Sequence, residues 1–481
     1  MVWFKKIASF INGSLVIFSL IVFVTCCFFI TKTASNLRIM ILLPLFYFAC
    51  LMFSSILYYL RKINIYLVLI HSFFIVQYLI IPLLIFIDGN YNWTNYNPEI
   101  GEHILEATLL QIFVLLFLTF LFALQKNDSY APRYFSVEYD KEQTKHTNRL
   151  ILILLLASLL LIVVYPQLLS KFRLISFSKI EDYYSYLRSS EAVKNSMPVL
   201  VYEFGLLLLK IVKLLLSYFL VVQVKRTVGQ KHPFLGIVLS LLIIGLLCLI
   251  TTEDKAASVF SGIVSLLLLA KMYVKESKRI IKISVILMTS LVAVVFVAPM
   301  IVSPKSMNLS YSLNAYFSGT INVSGGFLMN DDNKMSMLMG DIFRSIPYVN
   351  HFFLDLPMSY IEFNRAIGYD TVYNSEIIPI ISQGHFYFGI VGAVFLPFLL
   401  LFLAKKALKK MLNSSSSFEF YAYSSLFLYL FLGVFLYDFA LVISQVINYC
   451  LPIMIVYIFT KRRKQYNEES VAILKRKQCS S

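Results

Sequence analysis

The sequence lacks the motifs that most nucleotide-dependent and metal-dependent enzymes carry. It has no Walker phosphate-binding loop, no dinucleotide-binding glycine pattern, and neither an HExxH nor a CxxC pair. No two of its six histidines stand at the spacing of metal ligands. These absences argue against an ATP-driven pump and against a zinc hydrolase. We therefore expect no metal and no cofactor, and any reaction would draw its energy from the substrate or from an ion gradient.

Charged residues and cysteines are also scarce. Only 14% of the residues are charged, 59% are hydrophobic, and the mean hydropathy is +0.77, which is far from the composition of soluble domains. None of the six cysteines falls in a predicted outer loop, so a disulfide framework on that face is excluded. The chain is predicted to be a membrane protein without disulfides on its outer face.

The long hydrophobic runs predict an all-α fold, a polytopic transmembrane bundle of about 12 spans, because about 20 apolar residues cross a bilayer as a helix. The runs are too long and too continuous for the alternating strands of a membrane barrel. The predicted spans are 10–30, 39–60, 63–87, 104–124, 150–169, 199–222, 234–252, 256–273, 283–303, 386–404, 418–437 and 439–460.

The basic residues predict the orientation. With all of these spans present, six clusters of Lys and Arg fall on one side, which the positive-inside rule assigns to the cytoplasm. Both termini are then cytoplasmic. The net charge of +16 follows from this topology and from attraction to anionic lipids, so we expect no nucleic-acid partner. The clusters lie at 5–6, 61–62, 225–231, 275–282, 405–410 and 461–464.

One long polar segment, 304–385, interrupts the hydrophobic pattern and is predicted to lie outside the cell. It divides the chain into helices one to nine (1–303), this large outer loop, helices ten to twelve (386–460) and a basic tail (461–481). Within the loop, 336–356 alternates apolar and polar residues, which predicts short helices at the membrane interface. A large polar loop on the outer side of a protein that is otherwise embedded in the membrane favours a functional site at the outer surface.

Charged residues within the predicted sixth helix are a first candidate site. Glu203, Lys210 and Lys213 share one face of that helix by their spacing, and charges at such depth face a cavity or a partner. One interpretation is a cationic stripe for a lipid headgroup or a pyrophosphate. The other, equally weighted, is an internal pair of Glu and Lys with the second lysine reaching to the interface.

Four further basic residues lie in predicted outer loops. Lys255 is held near the membrane edge by a very short turn, although a self-neutralised hairpin is the simpler interpretation of that turn. Arg173 begins a basic, tyrosine-rich loop suited to an anionic glycan or glycolipid. Arg344 and Arg365 of the large loop could bind phosphate or carboxylate as a fork, or could pair with nearby acids.

The end of the large loop resembles a known family. The segment 374–379, Asn-Ser-Glu-Ile-Ile-Pro, and the segment 383–392, which contains Gln-Gly-His and ends with Gly389 and Gly392, resemble Wzy-type polysaccharide repeat-unit polymerases. The segment 172–178 is similar to an outer loop of the same family, and the likeness covers roughly 165–400. Members usually carry Arg in the short turn after the seventh helix, where this chain has Lys255.

The resemblance implies a metal-independent glycosyl transfer. Undecaprenyl-pyrophosphate-linked repeat units would be joined into O-antigen, capsule or a related glycan at the outer face of a bacterial cytoplasmic (inner) membrane. Partners would be lipid-linked oligosaccharides, with a chain-length regulator and a flippase possible in the same membrane. Lys255, Arg344, Arg365, Lys210, Lys213 and Arg173 are the candidates for binding the substrate's pyrophosphate.

A base must also take the proton of the attacking sugar hydroxyl. His385 is the first candidate because its ordinary pKa lies near working pH, and Asp341 and Glu376 are the others. Three alternatives stay open: an O-antigen-ligase-like transferase, a flippase for the same lipid-linked unit, and a membrane scaffold. Flippases usually have short loops throughout and detectable internal repeats, whereas this sequence has one loop far longer than the rest and shows no clear repeat.

Overall fold

The computed structural model describes residues 2–61, 65–91, 97–125, 137–174, 197–251, 255–283, 309–330, 332–368 and 376–461. These residues form the predicted all-α membrane bundle. Nine of their helices are long and apolar enough to cross a membrane, and a bent pair, Ala257–Met272 with Val274–Ile283, raises the number to ten. The predicted span 234–252 is a shorter apolar helix, Pro233–Leu249, and the predicted span 283–303 lies almost entirely outside the described residues.

The chain divides into two compact units, each built from segments that are distant in sequence. Unit 1 comprises Met1–Ala131, Pro299–Lys409 and Leu430–Ser444, and unit 2 comprises Pro132–Ala298, Lys410–Tyr429 and Gln445–Ser481.

Long helices and aromatic packing form the body of unit 1. Helix α1 packs on α2, and α2 packs on α5. Residues 430–444 complete the unit, because Phe431 and Phe435 pack against Phe73 and Phe74 of α3. These helices are α1 (Val2–Phe29), α2 (Leu42–Arg61), α3 (Ile65–Ile75), α4 (Ile81–Asp88) and α5 (Ile104–Leu124).

A π-helical turn, Val76–Ile80, joins α3 to α4 and buries polar side chains inside unit 1. Gln77 donates to the carbonyl oxygen of Phe317 (2.8 Å), and the Tyr78 hydroxyl donates to the carbonyl oxygen of Gln111 on α5 (2.9 Å). The extra residue of a π turn releases backbone groups and turns side chains out of the helical register. Here it directs Gln77 to the segment that begins at residue 309.

Residues 309–330 and 332–368 of the predicted outer loop fold as a series of short helices. The stretch 336–356, for which short helices were predicted, contains most of the helix Lys334–Phe343 and a 3₁₀ turn, Val349–Phe352. Two of the short helices, α10 and α11, are joined by a tight turn in which Ser318 has a positive φ of 53°. The helices of this segment are α10 (Leu309–Tyr316), α11 (Thr320–Gly325), α12 (Lys334–Phe343) and α13 (Ser359–Ala366).

Unit 2 is held together by helices α6 to α9. Helix α6 packs on α7, and α7 packs on α8 and α9. Two short strands, β1 (Arg173–Leu174) and β2 (Ile250–Thr251), pair antiparallel, with Arg173 opposite Thr251. The helices are α6 (Val137–Val164), α7 (Val199–Thr227), α8 (Pro233–Leu249) and α9 (Lys255–Met272).

Helix α14 (Ile380–Leu412) begins six residues before the predicted span and is sharply bent. Phe388 and Gly389 leave the helical conformation, and Gly389 has a φ of +64°, which a residue without Cβ adopts freely. The turns before and after the bend fold onto each other. The last helices of the described chain are α15 (Ser417–Leu436) and α16 (Phe439–Gln445), and α16 continues through a π turn to Lys461.

Candidate functional site

A buried cluster of polar side chains in unit 1 surrounds Asp341, one of the predicted catalytic residues. Asp341 is at the end of α12 and is fully buried. Its carboxylate accepts hydrogen bonds from the Ser359 backbone N–H (3.0 Å), the Ser359 hydroxyl (2.5 Å), the Gln383 amide (2.5 Å) and the Tyr387 hydroxyl (2.5 Å). Asp341 therefore links α12 to α13 and to the first part of α14.

Gln383 extends this cluster to the start of α16. Its amide nitrogen donates to Asp341 and, at 2.8 Å, to the Ser359 hydroxyl, while its carbonyl oxygen accepts the backbone N–H of Phe439 (2.8 Å). Asp438, the residue before Phe439, is 3% exposed and accepts the backbone N–H of Leu441 (2.7 Å). A single buried amide thus joins the surroundings of two carboxyl groups.

The electrostatics of the two carboxyl groups follow from this burial. Burial raises the pKa of Asp341 above its usual value, and the hydrogen bonds from Ser359, Tyr387 and Gln383 counter part of that rise. Burial also raises the pKa of Asp438 to about 7, and the charge of Asp341 contributes to the rise. Asp438 lies between the spans Ser417–Leu436 and Phe439–Lys461.

Glu376, a second predicted catalytic residue, lies in another buried polar network of unit 1. Its carboxylate accepts hydrogen bonds from the Tyr311 hydroxyl (3.2 Å) and the Asn322 amide (3.1 Å). Its backbone is held by the side chain of Asn364, which accepts the Glu376 N–H (2.7 Å) and donates to the Glu376 carbonyl (3.0 Å). The network fixes the end of the predicted outer loop onto α10, α11 and α13.

His385, the predicted base, is on the first part of α14 and is only partly buried. Its ring lies 4.8 Å from the ring of Phe327, measured between centroids. On the same short stretch, the Ser382 hydroxyl donates to the carbonyl oxygen of Val323 (3.2 Å), and Gln383 and Tyr387 bind Asp341. The helical turn that carries His385 is therefore fixed by its neighbours, while the side chain of His385 remains partly exposed.

The two arginines of the segment have different surroundings. Arg344 donates to the carbonyl oxygen of Leu356 (2.7 Å) and is partly buried. The side chain of Arg365 is 72% exposed and forms an ion pair with Glu362, three residues earlier, at 2.9 Å. The pairing with a loop acid that was considered from the sequence is present for Arg365, but an exposed pair of this kind holds its partners only weakly.

The remaining predicted cations lie in unit 2, and the pairing of β1 with β2 brings their backbone positions together. Arg173 lies opposite Thr251, and Lys255 begins α9 a few residues later. The side chains of both lie outside the described residues. On α7, the Lys213 ammonium donates to the carbonyl oxygen of Ile250 in β2 and, at 2.8 Å, to the Ser258 hydroxyl of α9, with Lys210 one turn earlier on the same helix.

Sequence reasoning missed the uncharged members of these clusters. Ser359, Gln383 and Tyr387 surround Asp341, and Asn322 and Asn364 hold Glu376, yet none was a predicted site residue. Asp438, between the predicted spans 418–437 and 439–460, was not a candidate either. One signal in the sequence could have identified Gln383 and Asp438: each is a polar residue close to the end of a predicted hydrophobic span. A polar group that is buried at such a position needs a hydrogen-bond partner.

Comparisons with known proteins give no identity. No family model, no curated protein and no solved structure matches this chain.

Proposed function

We propose that this protein polymerises undecaprenyl-pyrophosphate-linked oligosaccharide repeat units into a surface polysaccharide at the outer face of a bacterial cytoplasmic membrane. The proposal rests on the resemblance of the segments near 172–178 and 374–392 and on the placement of the candidate residues. The fold, an α-helical membrane protein with one long segment of short helices, is compatible with a substrate that has a lipid anchor and a polar glycan.

The observation that carries the proposal is the position of the cations in unit 2. The β1–β2 pairing draws the backbone of Arg173 and the start of α9, with Lys255, towards the strand whose Ile250 carbonyl binds Lys213. Lys210 lies on the same helix as Lys213. Four of the six residues predicted to bind pyrophosphate therefore belong to adjoining elements of one unit, which supports a site for a diphosphate.

The proposed reaction needs two kinds of group. A hydroxyl of the acceptor sugar attacks the anomeric carbon of the donor chain, and the bond from that carbon to the pyrophosphate breaks. Undecaprenyl pyrophosphate leaves with the bonding electrons, and cations stabilise the charge that develops on it. We assign this role to Lys213 with Lys210, Lys255 and Arg173, with Arg344 and Arg365 as further candidates.

A base accepts the proton from the attacking hydroxyl, and His385 fits this role best among the three candidates. Asp341 is fully buried and its carboxylate already accepts four hydrogen bonds. Glu376 is 8% exposed and is held by Tyr311 and Asn322. His385 is the most accessible of the three, so we assign positioning roles to the two acids.

An apolar groove in unit 1 is compatible with a lipid chain. Its volume is about 250 Å³, and it lies between α5 and the part of α14 after the bend. Every residue that lines it is apolar, and it begins at Ile390, directly after Phe388 and Gly389. A lipid-linked substrate could place part of its hydrocarbon chain there.

A flippase for the same lipid-linked unit is the second candidate. It is favoured by Lys213, whose ammonium group lies on a membrane-spanning helix, Val201–Thr227, where a charge can mark a path for an anionic headgroup. The two candidates differ in the state of the substrate that accumulates when the protein is absent.

The test is to determine the length and the leaflet of lipid-linked repeat units in cells that lack this protein. The proposed polymerase predicts single units on the outer face and no long chains. Single units confined to the inner face would instead identify a flippase, and long chains at normal levels would contradict both. Complementation with the wild-type gene has to restore the polymer in the same strain.

A further inference from the structure

Two carboxyl groups occupy one buried region of unit 1. Asp341 is fully buried and Asp438 is 3% exposed. Gln383 connects them, because its amide nitrogen binds Asp341 (2.5 Å) while its carbonyl oxygen accepts the N–H of Phe439 (2.8 Å), the residue that follows Asp438. Two carboxylates in such a region repel each other, since the protein interior screens charge far less than water does.

The groups around the two acids supply hydrogen bonds but little opposing charge. Ser359 of α13 and Tyr387 of α14 donate to Asp341, and the N–H of Leu441 in α16 donates to Asp438. Lys334, the first residue of α12, has its ammonium 5.5 Å from the Phe386 ring centroid. Within the described part of the chain neither acid forms an ion pair. On the part of α14 before the bend, residues 380–388, the titratable side chains are His385 and Tyr387.

We propose that Asp341 and Asp438 form a proton-binding site that holds α12 and α13 against α14 and α16 while one proton is bound, and that loosens this contact when the proton leaves. The hydrogen bonds give the proposal its geometry. Asp341 contacts α13 and α14 directly and reaches α16 through Gln383, so a second negative charge beside it weakens the links between four helices at once.

The direction of the pH dependence follows from the proton affinity of the folded protein. The pKa of Asp438 rises to about 7 in the folded protein, whereas an exposed Asp has its pKa near 3.9. A raised pKa means that the folded cluster binds the proton more tightly than the opened one does. The contact of α12 and α13 with α14 and α16 is therefore most stable in acid. It weakens as the pH rises towards 7 and changes little at higher pH.

The proposed proton binding does not require the catalytic step, in which Asp341 has only a positioning role. It depends on the proposed function only for the side of the membrane on which the site lies. On the predicted outer side, the proton would come from the medium. Acidification would then tighten the segment 334–366 on the helices beneath it, and neutral medium would release it.

Hydrogen exchange of the purified full-length protein in nanodiscs tests the proposal. Protection factors, which are corrected for the chemical exchange rate, are measured for amides of 334–366 between pH 5 and pH 8. We expect wild-type protection to fall about tenfold per pH unit up to about pH 7 and then to level off, as the release of one proton requires. Asp438→Asn, which resembles the protonated acid, should remove this dependence.

The matched control is Asp355→Asn, because Asp355 is an exposed acid within the same segment. It should keep the wild-type profile. A wild-type profile without pH dependence, or the same dependence in Asp438→Asn as in wild type, would overturn the proposal. If Asp438→Asn does not fold, Gln383→Glu provides the second measurement: an added acid between the two carboxyl groups should make protection depend more steeply on pH. Since the readout is not enzymatic, failure of the polymerase hypothesis would not affect this result.

Discussion

Gly384 and Gly392 face each other across the bend in α14, although eight positions separate them in a chain that is helical on both sides. A methyl group added to either would collide with the backbone carbonyl oxygen of the other. The sequence alone marks Gly389 and Gly392 as a family-like pair. In the structure Gly389 supplies the positive φ, and Gly384 with Gly392 allows the two turns to approach.

We expect Gly384→Ala to destabilise unit 1 by about 3 kcal/mol, because overpacking at a rigid backbone contact cannot be relieved by a side-chain rotation. The loss should appear as a lower Tm of the purified protein. Gly13→Ala is the control, since a methyl group there meets open space, and it should leave the Tm unchanged or raise it slightly. An equal Tm for the two variants would contradict the close contact.

Lys213→Met should abolish polymer formation while leaving the protein in the membrane. Methionine fills similar space but removes the charge that we assign to the pyrophosphate and the hydrogen bonds to Ile250 and Ser258. The measurement is the length of lipid-linked glycans in complemented cells. Lys275→Met removes an exposed charge from the predicted cytoplasmic side and should complement fully. Normal polymer with Lys213→Met would exclude that residue from the site.

His385→Phe separates the two roles of the histidine ring. Phenylalanine keeps a ring next to Phe327 but cannot accept a proton, so we expect the turnover rate to fall by about 10²–10⁴ with little change in Tm, the usual contribution of a general base. A His385→Phe protein with half of the wild-type rate would rule out His385 as the base.

Arg365→Ala should abolish activity at normal protein levels. The ion pair between Arg365 and Glu362 is on the surface, so its loss should cost less than about 1 kcal/mol of stability. Arg279 and Glu276 form an ion pair at the same spacing, 3.2 Å apart and also with an exposed arginine, so Arg279→Ala serves as the control. Full activity of Arg365→Ala would remove this residue from the substrate site.

Val391→Trp tests the apolar groove. Val391 lines the groove and is 76% exposed, so a larger side chain should cover the groove without disturbing the core. We expect weaker binding of a substrate with a long isoprenoid chain and unchanged binding of a short-chain analogue. Leu403→Trp, at an exposed position further along the same helix, should bind both like the wild type. Equal weakening for both chain lengths would contradict a role of the groove in holding the lipid.

The hydrophobic runs predicted the membrane class and most of the spans, because a long apolar helix in a bilayer satisfies its own backbone hydrogen bonds. The start of α14 was predicted too late. Ser382, Gln383 and His385 make its first turns too polar to resemble a span, and these turns are helical because their polar groups bind Val323, Asp341 and Phe439.

The polar clusters could not be predicted in the same way. Asp341, Ser359 and Gln383 are separated by many residues, and only the fold brings them together. The pairing of β1 with β2 involves two residues on each strand, which is too short to leave a pattern in the sequence. The charged candidates were visible as exceptions in an apolar chain, whereas the uncharged residues that position them were not.

Each of the two units combines segments that are distant in sequence, and this determines when each unit can complete its folding during synthesis. Residues 430–444 belong to unit 1 and residues from 445 onwards to unit 2, so both units wait for the last helices to leave the ribosome. At roughly 5–20 residues per second, the first helices spend tens of seconds in the membrane before Phe431 and Phe435 arrive to cover Phe73 and Phe74. During that interval the nascent chain depends on the insertion machinery and on surrounding lipid to shield surfaces that its own final segment will later cover.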